Sequence, residues 1–352
     1  MVRSPPINRL SETGTLGNLM ALLEVRDLEV SFGPIRILRR ISFDLDAGET
    51  LGVVGESGCG KSMTGFAIMG MLQPPGTITQ GSIKLDGLEL VGLPEKQMRK
   101  IRGDRIALVM QDPFTSLNPM MKIGDQIREA FVLHQDMPKR KAWTKAVEML
   151  EKVGVPDPEG TARKYPHQMS GGQRQRVVIA IAFACKPNVL IADEPTTALD
   201  VTTQAQILRL IRDLQETNGT AVMLISHDVG AIASISQRIA VFYGGQIVEQ
   251  GPSERVLRHA SMPYTRALLN ALPHAGMTRL EAIGGYPPDF SNLPKGCAFS
   301  PRCPLRFDKC DESPGLVPLE PGHFAACWRA KEVLEMPDGK MLEREAVEHP
   351  IP

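Results

Sequence analysis

"GESGCGKS", residues 55–62, is the stretch on which the rest of the chain is read. It fits G-x-x-x-x-G-K-[ST]. "LGVVG" at 51–55 precedes it, an apolar run of the kind a buried parallel strand requires. "KSMTGFAIMGML" follows from Lys61 and has helical character. A glycine-rich turn between strand and helix lets backbone N–H groups curl around phosphates, and the helix N-terminus adds partial positive charge. Lys61 is placed to reach β- and γ-phosphates and Ser62 to hold Mg²⁺. The bland alternative is a chance glycine turn, and the strand-then-helix context weighs against it.

Working outward, "VLIADEP" at 189–195 is a second apolar run, ending in two acids. Asp193 and Glu194 therefore stand at the C-terminal end of a buried strand, the edge that faces ligand in an open α/β sheet. Asp193 suits Mg²⁺, and Glu194 suits a general base acting on water. "MSGGQRQR" at 169–176 sets Ser170, Gly171, Gly172 and Gln173 at another anion-ready helix start. One nucleotide rarely needs two such starts in one chain, unless the second serves a neighbour's nucleotide. "LISHD" puts His227 after a further buried strand, and "MQDPFTSLNP" puts Gln111 at a strand end, able to approach Mg²⁺ and the attacking water. Taken singly, each of these two residues has an ordinary solvated reading.

Composition bounds the function. The chain has 352 residues, 42% of them apolar, with 40 basic and 40 acidic side chains. This length accommodates one large or two ordinary domains. Zero net charge supplies no electrostatic footprint for nucleic acid or an anionic membrane. "VVIAIAFAC" at 177–185 is the longest apolar run, about half of the ~20 residues a spanning helix needs. Residues 1–20 are rich in Ser, Pro, Gly and Asn, lack a signal-peptide core and are expected to be disordered. Met20 is a second candidate start beside Met1. The expected compartment is a reducing cytoplasm.

Alternation in "LLEVRDLEV" and "ISFDLDAGET" reads as strands, with Ile41, Phe43 and Leu45 on one face. "GSIKLDG" at 81–87 reads as a short strand, "RIALVMQD" at 105–112 as another, and "IAVFYGGQIVEQG" as a hairpin over Gly244-Gly245. Ala142, Ala146, Met149, Leu150 and Val153 fall at helical spacing, stopped by Gly154 and Pro156. From about 256 periodicity fades, and four of the six cysteines gather as C-x5-C-x6-C-x16-C: Cys297, Cys303, Cys310 and Cys327. Disulfides are disfavoured in a reducing compartment. Four thiolates suit tetrahedral Zn²⁺, with His323 a substitute ligand, although the tight C-x₂₋₄-C pairs of zinc sites are missing. They suit an iron–sulfur cluster equally. Spacing alone leaves zinc, iron–sulfur and unligated thiols open.

The five stretches, in this order and spacing, resemble the ATP-binding subunits of ABC transporters over about residues 21–255. The resemblance implies an α/β P-loop NTPase of ABC type: a mixed sheet core, an antiparallel β-subdomain and a helical subdomain at about 118–175. By that likeness Gly55, Glu56, Ser57, Gly58, Cys59, Gly60, Lys61 and Ser62 form Walker A, and Gln111 the Q-loop. Ser170–Gln173 is the signature, and Asp193 and Glu194 are Walker B with its catalytic glutamate. "ALD" ending at Asp200 is the D-loop, His227 the switch histidine, and Phe32 in "VSFG" the adenine-stacking aromatic. Ser62, Gln111 and Asp193 are the implied Mg²⁺ residues. Met169 replaces the usual leucine, a swap of similar apolar volume. Two such domains are expected to pack head to tail, each ATP lying between one chain's Gly55–Ser62 loop and the partner's Ser170–Gln173.

"MPYTRALLNALP" at 262–273 and "GCAFSPRCP" at 296–304 resemble the C-terminal extension of dipeptide/oligopeptide and nickel permease ATP-binding subunits. This implies a small irregular C-terminal domain at 256–330 and a tail at 331–352. Some members bind a [4Fe–4S] cluster through four such cysteines, so a structural [4Fe–4S] cluster, with Zn²⁺ as the alternative, is the expectation here. The implied function is ATP hydrolysis that powers import of di- and oligopeptides. Implied partners are a homologous ATPase, two transmembrane permease subunits and an extracytoplasmic binding protein, with the chain peripheral on the cytoplasmic face of the inner membrane. Nickel or another solute is the alternative cargo. An ABC-type ATPase acting on DNA or ribosomes, or a non-catalytic ATP-binding subunit, are the other classes; the neutral charge and the acid at 194 respectively weigh against them.

Overall fold

The computed structural model describes residues 21–197, 199–271 and 283–336. The N-terminal stretch 1–20, Ala198 of the "ALD" turn, the end of "MPYTRALLNALP" and most of the 331–352 tail lie outside the described residues.

In chain order the strands are β1 (Leu23–Phe32), β2 (Ile35–Leu45), β3 (Thr50–Val54), β4 (Gly76–Leu85), β5 (Leu88–Glu89) and β6 (Ile106–Val109). They continue with β7 (Val189–Asp193), β8 (Ala221–Ile225), β9 (Arg238–Tyr243), β10 (Gln246–Pro252), β11 (Val317–Glu320) and β12 (His323–Ala325). The alternating sequences of β1 and β2 make an antiparallel sheet ordered β2-β1-β4-β5. Its inner face carries Leu23, Val25, Leu28, Ile41, Phe43, Leu45 and Ile83, all buried. β4 starts earlier than the short strand expected at 81–87. Gly81 sits at φ +101 where the β1–β4 register shifts, so a bulge, not a strand end, occupies the glycine.

The second sheet is ordered β11-β12-β10-β9-β3-β8-β7-β6. Its centre is parallel: β3 lies between β8 and β9, and β7 between β8 and β6. Every residue of β3, β7 and β8 is buried, which accounts for continuous apolar runs where alternation would mark a half-exposed strand. β9 and β10 form the hairpin read over Gly244-Gly245.

Between β6 and β7 the chain leaves the sheet for a helical layer: Ile123–Gln135, Lys139–Lys152 and Pro158–Ala162. Ala142, Ala146, Met149 and Leu150 form the buried stripe of the second helix. The apolar run at 177–185 lies mostly in the helix Gly171–Phe183, which is buried between the helical layer and the sheet. Among the described residues no helix is long and apolar enough to cross a membrane.

Beyond residue 256 the chain returns to the sheet. β12 pairs antiparallel with β10, with Ala325 opposite Glu249, and β11 pairs with β12. Tyr264, Ala298 and Phe299 belong to the same apolar core as Val109 and Tyr243. So short a segment, whose elements run from three to eight residues, gains its burial by extending an existing sheet. Glu249, fully buried, ties the layers together: it accepts from the Ser261 N–H at 2.7 Å and the Met262 N–H at 3.1 Å, and lies 2.8 Å from Nε2 of the buried His323.

Candidate functional site

The Gly55–Ser62 loop joins β3 to the helix Lys61–Ile68. Gly60 caps that helix at φ +108, and a Cβ there would stand 2.7 Å from Leu38 Cδ2, so the turn needs glycine for both backbone and space. Lys61 is buried, and its ammonium curls over the loop, donating to the carbonyls of Gly55 at 2.8 Å and Glu56 at 2.9 Å. A cation held by neutral partners alone, these carbonyls and Cys59 Sγ at 3.7 Å, is a site for anionic oxygens. Cys59 is buried beneath it, and burial pushes its thiol up, the nearby Lys61 offsetting only part; that keeps the sulfur a protonated thiol.

Three parallel strand ends meet beside this loop. Asp193 closes β7, 7% exposed, and accepts from Ser62 Oγ at 2.9 Å. Burial raises its carboxyl pKa, the Ser62 hydrogen bond opposing. Glu194 follows in a left-handed conformation, φ +47, with its N–H donating to Ile225 O of β8. That turn aims its carboxylate across the crevice. Oε2 accepts from Gln111 Nε2, beyond β6, and from Thr197 Oγ1, both at 2.9 Å, and lies 3.2 Å from Nδ1 of His227, beyond β8. A carboxylate ringed by an amide, a hydroxyl and an imidazole is an oriented base, and Ser62, Asp193 and Gln111 supply oxygen ligands of the type Mg²⁺ takes.

The remaining expected residues stand apart from that ring. Ser170 caps the helix Gly171–Phe183 in a reciprocal box with Gln173, and both residues bond each other. Gly171 and Gly172 open the same helix, where a Cβ on Gly172 would meet Thr203 at 3.0 Å. Asp200 caps the helix Val201–Asn218 through the Thr203 N–H and hydroxyl, which hold its carboxyl below the usual range. Phe32 ends β1, with its ring over Gly76.

The ABC transporter family profile matches residues 38–197, and that of the oligopeptide/dipeptide transporter C-terminal region matches 248–310. The chain is 48% identical over 324 residues to a probable peptide ABC transporter ATP-binding protein, y4tR, of Sinorhizobium fredii, covering 90% of this chain and 97% of that one. It is 45% identical over 333 residues to the oligopeptide transport ATP-binding protein OppD of Salmonella typhimurium, covering 92% and 99%. The chain belongs to the oligopeptide/dipeptide-type ABC transporter ATP-binding subunits. Its structure is similar to the dimeric post-hydrolysis ATP-binding cassette MJ0796 bound to ADP and Pi, with TM-score 0.59 and 26% identity over 66% of this chain and 98% of that one. This ABC subunit is thus an ATPase, and its fold is the expected one.

Cys297, Cys303, Cys310 and Cys327 of the ABC subunit line one pocket, together with Met262, Leu305, Phe307, Trp328 and Arg329. None is in a disulfide. Burial, reinforced by the neighbouring cysteines, raises Cys297, lifts Cys303 to about 11 and Cys327 to about 12. Among the described residues no three His, Cys, Asp or Glu groups close in as a single-ion shell. His323, the proposed substitute ligand, does not line the pocket: it is held at Glu249.

Sequence reading missed four contributors to the site. Thr197 lies only three residues from Glu194 and was legible as a polar neighbour. Arg302, Tyr264 and Tyr243 were not. Arg302 grips Glu56 across 246 residues of chain, and Tyr264 accepts from the Glu56 N–H at 2.9 Å; no local pattern announces either contact.

Proposed function

We propose that this subunit hydrolyses ATP to power import of di- or oligopeptides through a separate membrane permease. It would sit peripherally on the cytoplasmic face of the membrane, paired with a homologous ATPase and served by an external binding protein. The single observation that carries this reading is the convergence of Ser62, Asp193, Gln111 and His227 around Glu194, on a chain nearly coextensive with peptide-transport ATPases. In this reading residues 21–255 form the ATP-hydrolysing body, 256–330 the transporter-type extension and 331–352 a tail.

Phosphoryl transfer to water depends on positioning and charge. Lys61 exchanges its loop carbonyls for β- and γ-phosphate oxygens, and Glu56 to Ser62 cradle the phosphates with backbone N–H groups. Phe32 stacks on the adenine. Ser62, Asp193 and Gln111 would hold Mg²⁺, which when bound would supply positive charge against the phosphates. Glu194 takes the proton of the attacking water, oriented by Gln111 and Thr197, while His227 bridges Glu194 and the γ-phosphate. Ser170, Gly171, Gly172, Gln173 and Asp200, presented to the partner, complete the neighbour's nucleotide site. The test is turnover of the complex in vesicles: peptide-loaded binding protein should stimulate ATP hydrolysis several-fold. Stimulation by DNA, or none by any peptide, would overturn the reading.

A [4Fe–4S] cluster is the finer part of the proposal. Its support is four unbridged cysteines lining one largely apolar pocket. Zinc sites take tight C-x₂₋₄-C pairs, which the spacing C-x5-C-x6-C-x16-C lacks. When bound, the cluster would crosslink a segment with little core of its own. Absorption and EPR spectra of anaerobically purified protein test this; a colourless, zinc-containing sample would refute it.

A further inference from the structure

Glu56 puts a carboxylate inside the loop that is to hold a triphosphate. Its side chain is 21% exposed, and its own carbonyl is bonded to the Lys61 ammonium. Left unpaired, such a charge would repel the polyphosphate and weaken the pull of Lys61. It is not left unpaired. Arg302, with only 5% of its side chain exposed, meets it with both terminal nitrogens, at 2.7 and 2.9 Å. The rest of the guanidinium is satisfied as well: Nε by Gly284 O at 2.8 Å, and the terminal nitrogens additionally by Tyr243 Oη and Ile283 O, both at 3.3 Å. All five donors thus have partners, a geometry lysine cannot reproduce.

Arg302 lies between Cys297 and Cys303 in sequence, and Phe299 beside it packs edge-on against Tyr243 and tilted against Tyr264, with ring centroids 5.3 and 5.4 Å apart. Tyr264 in turn fixes the Glu56 main chain. Both ends of Glu56 are therefore held by residues beyond β8, two of them in the cysteine-bearing extension.

We propose that Arg302 is a positioning residue of the nucleotide site: by forking onto Glu56 it masks that carboxylate from the triphosphate and, with Tyr264, holds the Gly55–Ser62 loop in binding shape, making ATP affinity depend on the C-terminal extension. The inference rests on that loop being the triphosphate site. A charge unmasked beside a polyphosphate, in a loop also freed to populate other shapes, lowers affinity about tenfold.

The test is titration of the full-length chain with a fluorescent ATP analogue and Mg²⁺, at low salt and at about 0.5 M salt, alongside KM and kcat of the assembled complex. Arg302→Gln should raise Kd and KM about tenfold with kcat changed less than about twofold, and the loss should shrink at high salt. Adding Glu56→Gln should recover most of the affinity, because the unmasked charge is then gone. Arg302→Lys, which keeps the charge without the fork, should fall between and serves if the glutamine variant does not fold. Unchanged Kd in Arg302→Gln or, failing that variant, in Arg302→Lys overturns the proposal. So does a double variant as weak as Arg302→Gln alone. Lys61→Ala separates the two levels: if it binds ATP normally, the loop assignment itself has failed; if it loses ATP while Arg302→Gln keeps it, only the present inference has.

Discussion

Replacing Glu249 with alanine should be the most damaging single change outside the crevice around Glu194. Its carboxylate is fully buried and serves three donors: the Ser261 and Met262 N–H groups and the His323 imidazole. Alanine leaves all three without a protein acceptor in the interior. Orphaning a buried donor costs roughly 1–3 kcal/mol. Because one carboxylate serves all three donors, these costs overlap, and the expected loss is about 4 kcal/mol. At about 2 °C per kcal/mol for a chain of this size, the melting temperature of the nucleotide-free protein should fall by about 8 °C. Glu249→Gln keeps one acceptor oxygen and the shape, so its loss should be about half as large.

Local consequences should accompany the global one. Ser261 and Met262 lead directly into the helix Pro263–Asn270, which carries Tyr264 to the Glu56 N–H. Loosening them should weaken ATP binding as well as the fold. Calorimetric melting of the purified full-length chain, with and without ATP, measures both. A fall of less than about 2 °C for the alanine variant would refute the reasoning, because it would mean the three donors find other partners at little cost.

Glu194→Gln should lower turnover of the complex by about a hundredfold to ten-thousandfold while ATP still binds, checked by pairing phosphate release with equilibrium titration. Asp193→Asn should cut Mg²⁺-dependent turnover at least about a hundredfold yet stabilise the empty chain. Burial raises the Asp193 pKa in the fold, so its contribution favours the native state in acid and is lost as pH rises through that raised value. The variant's advantage should therefore grow from the unfolded value of 3.8 upward and level off above the native one; denaturant titrations across pH decide, and a less stable variant at pH 7 refutes it. Gly60→Ala forces a side chain into φ +108 against Leu38. About 2 kcal/mol of stability and much of the ATP affinity should go, read by melting and titration.

Most of the ring around Glu194 was legible because Gln111, Asp193, Glu194 and His227 sit where apolar runs stop. Parallel strands place their C-terminal ends along one edge, so Gln111, Asp193, Glu194 and His227 could be assigned to a crevice from short local patterns. Contacts between that edge and the extension were illegible for the opposite reason. Arg302 and Glu56 are 246 residues apart, and Glu249 and His323 are 74 apart. Neither pair lies on a periodic face, so nothing in the spacing selects one partner over another. The cysteines announced that the last stretch was gathered around something, but not that it would supply β11 and β12.

Those two strands change what the boundary near 256 means. Without β12, strand β10 would be the sheet's edge, with unpaired backbone groups and Glu249 turned from a buried acceptor into an exposed one. Bare edges of this kind invite pairing with other chains. Covering β10 and clasping Glu56 are achieved by one continuous segment, so the position where the sequence loses its periodicity marks a change in how residues are held and not a place where the fold could end. A phosphate loop gripped from behind by the family-specific extension can be tuned by that extension without altering any residue of the motif itself.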